Sequence, residues 1–331
     1  MVSPAKESRV FTWRKLARVL AVAFIALILP VLFAGCSLQL LGGAPSQPVQ
    51  TTELRVPVSP SQLLVPRTGS VYLYQSGVTI DTSNTGEGYV MVRYAGDAGR
   101  VVAQVSMGET TYTWGLSQGS WEVLPLALGD GSYTISVFEH VYDQMFAMLA
   151  TTEVSVRLRH HTLPFLHPNQ YVNFGPDSGV VALAAALAEG AHSELDVVAN
   201  IYQHIINNIE YDHELALAIV EGRVTAHLPD VDVTLETGKG ICFDYAALMA
   251  AMLRSQKIPT KLTLGYVSGG IYHAWVSVYT QETGWVNVVR FDGICWTLMD
   301  PTFSAGAAQG ASLDLAEFLG DGANHMPMFF H

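Results

Sequence analysis

The chain has 331 residues and a formal net charge of −12; 50% of its residues are hydrophobic and 14% are charged. This composition supplies a sizeable packed core and excludes a chain that is disordered throughout. The acidic balance, without a basic stripe, argues against nucleic-acid binding and against a polybasic patch for anionic membranes. The length favours a short leader followed by two domains.

The first 35 residues are typical of a targeting segment. Arg14, Lys15 and Arg18 precede an apolar run over 19–33, which is shorter than the roughly 20 residues that a membrane-spanning helix needs. Small residues then lead to Cys36 and resemble a lipobox, in which the cysteine is acylated and becomes the new N-terminus. The sequence therefore predicts a signal peptide over 1–35, lipidation at Cys36 and a lipid anchor on the extracytoplasmic face of the cell membrane. An uncleaved signal anchor is the alternative.

The next segments predict a tether and a β-domain. Residues 36–60 are rich in Ser, Gln, Pro and Thr, which is typical of a flexible tether. Six segments rich in β-branched and aromatic residues follow, separated by glycine-containing breaks: 71–74, 89–94, 101–105, 110–114, 133–138 and 152–159. This pattern predicts an immunoglobulin-like β-sandwich over 61–165. It carries no catalytic constellation, which favours a spacer or an adhesion module.

Helical periodicity begins at about residue 175. Ser193 and Asp196 have capping-box spacing, and apolar residues recur every three or four positions from Leu195 to Ile209. A glycine-containing turn then precedes a second predicted helix from Cys242 to about Gln256, which is apolar nearly all round and should be buried. Cys242 would occupy the exposed N-terminus of this helix, where free amides and the helix dipole favour a thiolate and could stabilise an oxyanion.

A cysteine nucleophile needs a base, and the next segments supply a candidate. Alternation predicts a strand over 272–279 that carries His273, then a second strand over 285–289 and a third over 294–299. Asp300 follows directly and could accept a hydrogen bond from the imidazole, which would fix its tautomer.

Four pieces together resemble the core of the transglutaminase-like, papain-type superfamily in order and spacing. They are Gly-x-Cys-x-Asp-Tyr-Ala at 240–246, Gly265-Tyr266, His273-Ala274-Trp275-Val276 and Asp300-Pro301-Thr302. The resemblance covers about residues 175–305 and departs from many members at Ser277, where they have Glu. It implies an α+β fold, in which a helix-plus-antiparallel-sheet catalytic domain over 170–331 follows the β-sandwich.

By the same resemblance Cys242 is the nucleophile, His273 the general base and acid, and Asp300 the residue that orients His273. Gly240, Tyr245 and Trp275 are candidates for the substrate cleft. The implied chemistry is acyl transfer from an amide of a protein or a wall peptide, through a thioester, to an amine or to water. The sequence leaves the acceptor open, with hydrolysis favoured.

Alternatives remain beside this interpretation. Cys242 could instead pair with Cys295 in a disulfide, since two cysteines outside the cytoplasm are usually bonded. The domain could be a non-catalytic scaffold that binds peptides or wall material, or the β-sandwich could act as an adhesion module. No histidine has metal-ligand spacing, so no metal is expected. No other cofactor is expected, and the acidic balance argues against a nucleic-acid partner.

Overall fold

Two antiparallel sheets make up the N-terminal half of the computed structural model. Their strands are β1 (Tyr72–Gln75), β2 (Val78–Asp81), β3 (Tyr89–Tyr94), β4 (Val101–Met107), β5 (Thr110–Leu116), β6 (Trp121–Pro125), β7 (Gly131–Tyr142) and β8 (Met145–Val156). One sheet has the order β1-β2-β3-β6 and the other β5-β4-β7-β8. With β1 as an additional edge strand, this is the strand order of immunoglobulin-like sandwiches.

The two sheets share one core, as alternation along their strands dictates. Along β4 the side chains of Val101, Ala103 and Val105 are buried and those between them are partly exposed. On the facing sheet, Ile80 and Val90 belong to the same apolar cluster. The inward-facing residues of both sheets therefore form the core of a sandwich, which confirms the predicted architecture.

Among the described residues, five α-helices and eight strands follow. They are α1 (Gly179–Leu187), α2 (Glu194–Asn208), β9 (Glu210–Tyr211), α3 (His213–Val220), α4 (Val231–Thr237), β10 (Lys239–Gly240), α5 (Cys242–Ser255), β11 (Thr260–Val267), β12 (Ile271–Thr280), β13 (Gly284–Asn287), β14 (Arg290–Phe291), β15 (Trp296–Thr297) and β16 (Met326–Phe330). The main sheet is antiparallel with the order β13-β12-β11-β16.

Helix α5 is the centre of this half. Residues 244–255 of the helix are all buried, and its apolar side chains join one core with α1, α2, β11 and β12. The predicted helix and the predicted strand over 272–279 are therefore confirmed. The result is the α+β fold that the resemblance implied, with a helix packed on an antiparallel sheet.

The structure describes residues 54–267, 271–281, 283–287, 290–291, 296–297 and 326–331, which belong to one compact unit. The predicted signal peptide and Cys36 lie outside these residues, as do Cys295 and Asp300. Within the described residues, no helix is long and apolar enough to cross a membrane.

Two contacts tie distant parts of this unit together. Val58 is buried, and its backbone N–H donates to Gln256 Oε1 at 2.9 Å, so this part of the predicted tether packs on the end of α5. The Phe330 N–H donates to the Tyr112 hydroxyl at 3.4 Å, and the Phe329 ring lies 5.4 Å from that of Tyr112. Strand β16 therefore contacts both the main sheet and the sandwich.

Candidate active site

The segment before Cys242 is held by short strands and a helix end. Helix α4 ends at Gly238, whose φ of 64° is the left-handed conformation that glycine adopts without steric cost. Strand β10 then pairs in parallel with β9, and the Asp212 N–H donates to the Gly240 carbonyl at 2.9 Å. These bonds bring the chain to the start of α5, so that Cys242 is the first residue of the helix.

Asp244 explains the spacing of the Gly-x-Cys-x-Asp motif. Its Oδ2 atom accepts a hydrogen bond from the Ile241 N–H at 2.9 Å, which caps the first turn of α5. A Cβ atom on Gly240 would lie 2.6 Å from the Asp244 Cβ, closer than real side chains approach. Glycine at 240 is therefore required because the capping carboxylate folds back over this position, and together they orient the turn that carries Cys242.

The three cleft candidates from the sequence are all buried. The Tyr245 hydroxyl donates to the Ile209 carbonyl at 2.6 Å and ties α5 to the end of α2. Trp275 packs in the core between α5 and the sheet. Neither these two side chains nor Gly240 is among the described residues that line the cavity beside Cys242. Their contacts hold the elements of the site in place, and these residues do not line the cavity themselves.

His273 lies in the middle of β12, directly opposite Gly265 of β11. The side chain is buried, with a relative exposure of 5%, and its ring stacks on Trp275 at a centroid distance of 6.3 Å. Burial on a paired strand restricts the imidazole to a narrow range of orientations, as a group that must meet a nucleophile requires.

Cys242 and His273 line the same cavity, which has a volume of about 560 Å³. Cys242 is half-buried and carries a free thiol. Tyr272 lies at the mouth, and burial raises the pKa of its hydroxyl, with smaller contributions from Tyr266 and from Cys242 itself. The structure therefore brings together the predicted nucleophile and the predicted base, which are 31 positions apart in the sequence (273 − 242).

A second histidine, which the sequence did not single out, also lines this cavity. His227 Nε2 lies 2.7 Å from Asp244 Oδ1, and its side chain also lines the cavity. The hydrogen bond with Asp244 raises the pKa of His227 more than partial burial lowers it. Asp244 thus bridges an imidazole and the backbone N–H before Cys242. No local pattern marks His227, whereas the third helical position of Asp244 was a signal for a capping carboxylate.

The remaining predicted site residues cannot be placed in the same way. Asp300 and Cys295 lie outside the described residues, as does Cys36. In the part of the chain that the structure describes, no group of three or more His, Cys, Asp or Glu side chains could hold a metal ion.

Comparisons with known proteins point to one superfamily. Residues 181–289 match the model of the transglutaminase-like superfamily. The chain is 27% identical over 183 residues to the uncharacterized protein YebA of Bacillus subtilis, covering 47% of this chain and 22% of that protein. It is 31% identical over 129 residues to kyphoscoliosis peptidase of Homo sapiens, covering 39% and 19% respectively.

A third relative is a protein-glutamine gamma-glutamyltransferase of Pseudomonas aeruginosa, to which the chain is 36% identical over 70 residues, covering 17% of this chain and 10% of that protein. The chain thus spans about a fifth of these relatives or less. Residues 181–289, which match the superfamily model, contain Cys242, His273 and the described residues that line the cavity. The chain therefore contains a transglutaminase-like domain at residues 181–289.

Proposed function

We propose that this protein is an acyl-transfer enzyme that acts on amide bonds, with Cys242 as nucleophile and His273 as general base and acid. The observation that carries the proposal is that the Cys242 thiol and the His273 imidazole line one cavity, with the cysteine in the first turn of α5. A thiol at a helix N-terminus beside an imidazole is the arrangement that activates a cysteine.

In the proposed reaction, the proton of the Cys242 thiol passes to His273 and the sulfur attacks the amide carbonyl carbon. The carbon–nitrogen bond then breaks, the amine leaves with the proton from His273, and a thioester remains on Cys242. Water or a second amine loses a proton to His273 and attacks the thioester, which releases the acyl group and regenerates the thiol. First-turn amides of α5 are the proposed donors to the oxyanion, since they have no acceptor within the helix.

Asp300 is the proposed third member of the site, and it accepts a hydrogen bond from His273. Such a partner fixes the tautomer of a catalytic imidazole and stabilises its protonated form. The support for this role is the motif resemblance around Asp300-Pro301-Thr302.

The proposed substrate is a protein or a wall peptide, and water is the favoured acceptor. One relative is named as a glutamyltransferase and another as a peptidase. The names of similar proteins therefore include both a transferase and an enzyme that cleaves peptides. We further propose that Cys36 is lipidated and holds the enzyme on the extracytoplasmic face of the membrane. The intact mass of the mature protein tests this, because cleavage and acylation at Cys36 change it by known amounts.

Alkylation of the full, reduced chain by iodoacetamide across pH tests the proposed nucleophile. A thiolate paired with an imidazole labels well below pH 8.5, the reference value for a free thiol. We expect fast labelling of Cys242 at pH 6, measured on the peptide that contains it so that Cys36 and Cys295 are counted separately, and a profile displaced to higher pH in His273→Ala. Labelling only near pH 8.5 in both proteins would contradict the proposal and favour a peptide-binding scaffold. If labelling is fast, an amide substrate with and without an added amine then distinguishes transfer from hydrolysis.

A further inference from the structure

The wall of the cavity that α3 forms is apolar. Ala216, Ile219 and Val220 recur at helical spacing on one face of α3, and all three line the cavity. Val224 continues this wall after the helix, and Leu264 lies on the side of the sheet. Asp212 caps α3 by accepting the Leu215 N–H at 2.8 Å, which holds the helix in place beside Cys242.

The lining of the cavity also limits which charges it can accommodate. None of the described residues that line the cavity is Asp, Glu, Lys or Arg. Among the described residues, the lining has these ionisable members: Cys242, the tyrosines Tyr211 and Tyr272, and the two histidines His227 and His273. A carboxylate in the apolar part would lose its hydration without gaining a cationic partner on the α3 wall, whereas an aliphatic group would lose only unfavourable contact with water.

We propose that the α3 wall is the binding site for an aliphatic side chain of the substrate, at the residue beside the reacting carbonyl. The inference rests on the proposed function, because the cavity holds the nucleophile. It adds the substrate class: amides flanked by Leu-like side chains are preferred, and those flanked by acidic side chains are rejected. The cavity of about 560 Å³ falls within the size range of small-molecule and side-chain sites.

Val220 is the residue of choice to test this proposal. It lines the cavity, yet the residue is 84% exposed, so a polar replacement leaves the core unchanged. Leu217 provides a matched control, because it lies on the same helix, is 53% exposed and is not among the described residues of the lining. Val220→Asp puts a carboxylate into the proposed site, and Leu217→Asp puts the same charge outside it.

The experiment compares two chloromethyl ketones of similar size, acetyl-Ala-Leu and acetyl-Ala-Asp. In each case the Cys242 sulfur displaces chloride and forms a carbon–sulfur bond, and the mass of the peptide that contains Cys242 reports the rate. Iodoacetamide, which has no side chain, gives the reference rate for each protein. We expect the leucyl probe to label the wild type roughly tenfold to a hundredfold faster than the aspartyl probe after this normalisation, the range in which apolar pockets discriminate. Val220→Asp should lower the ratio about tenfold or more, and Leu217→Asp should retain it.

Equal normalised rates for the two probes in the wild type would overturn the proposal, as would an unchanged ratio in Val220→Asp. Slow labelling by iodoacetamide at pH 6 would instead contradict the proposed nucleophile. In that case the wall is tested without chemistry, by calorimetric titration of Cys242→Ala with acetylated peptides whose central residue is Leu or Asp. Tighter binding of the leucyl peptide, weakened in Val220→Asp but not in Leu217→Asp, supports the wall, and equal affinities overturn it.

Discussion

The two ends of helix α5 both carry polar side chains, but they use them differently. At the N-terminal end, Cys242 is half-buried beside an open cavity, and Asp244 connects a cavity histidine to the backbone. At the C-terminal end, Arg254 and Gln256 are enclosed and bind backbone groups. A reactive group needs access to substrate, whereas a buried anchoring group must have its hydrogen bonds satisfied within the protein.

Arg254 shows what the anchoring end contributes. Its guanidinium donates to three backbone carbonyls, those of His167, Thr260 and His331, which belong to segments far apart in the sequence. The charge is therefore tolerated in the interior because five donors in a rigid fork can satisfy several carbonyls at once.

The largest effect should follow from Arg254→Met. The substitution keeps an apolar stem but leaves the three carbonyls without their donor, at roughly 1–3 kcal/mol for each buried unsatisfied group. We expect the free energy of unfolding to fall by about 3–5 kcal/mol, measured by urea denaturation. The exposed Arg157→Met serves as the control and should change stability by less than about 0.5 kcal/mol. A similar small loss in both variants would mean that this end of α5 is not an anchor.

The second largest effect should be a loss of stability at low pH, which arises from His331 at the C-terminal end of α5. His331 is buried among aromatic rings, 4.8 Å from Trp114 and 4.4 Å from Tyr171, and burial followed by the charge of Arg254 lowers its pKa to about 3. The unfolded state therefore binds a proton between pH 6.5 and pH 3 that the folded state does not, and stability falls as pH falls through this range.

His331→Phe removes this group and keeps a ring of similar shape. We expect the variant to lose less stability than the wild type between pH 7 and pH 4, by on the order of 3 kcal/mol. The exposed His213→Phe should follow the wild-type acid profile. Parallel acid profiles for wild type and His331→Phe would show that the C-terminal end of α5 carries no such sensitivity.

At the reactive end, Gly240→Ala should have a moderate effect on stability and a direct effect on Cys242. The added Cβ would meet the Asp244 side chain at 2.6 Å, so the capping carboxylate must move. We expect a loss of about 1–3 kcal/mol and slower alkylation of Cys242. Gly175→Ala is the matched control, because a Cβ there meets nothing within 4 Å. The control should be neutral or slightly stabilising.

The same contrast explains how far the sequence could predict the structure. Helix α5 and strand β12 were predicted because their apolar patterns are long and their caps and turns are local. Strands β2 and β6 were missed, although β1, which is as short as β2, was predicted. Helices α3 and α4 were missed because they have only eight and seven residues. Periodicity needs more residues than that to stand out.

Within the site, the motif predicted that Cys242 and His273 lie close together. It did not predict which of the other motif residues face the cavity. Cys242 and His273 line one cavity as expected, while Tyr245 and Trp275 turn out to pack in the core. The contact between His227 and Asp244 spans 17 positions and depends on how the loop after α3 returns to α5. Such a contact is set by tertiary packing, and no spacing rule in the sequence reports it.

The smallest predicted effect sharpens the comparison at the reactive end. The hydrogen bond to Asp244 raises the folded-state pKa of His227 above its unfolded value of 6.5, and Asp212 adds a weaker contribution in the same direction. The pair therefore stabilises the fold fully below pH 6.5, and this stabilisation disappears as pH rises through the raised pKa. The stability difference between wild type and His227→Gln should shrink by about 0.5–1 kcal/mol from pH 6 to pH 9, since partial exposure screens the pair. Asp244→Asn should abolish the same pH dependence. A difference that stays constant with pH would mean that His227 is held by packing and that its charge does not stabilise the fold.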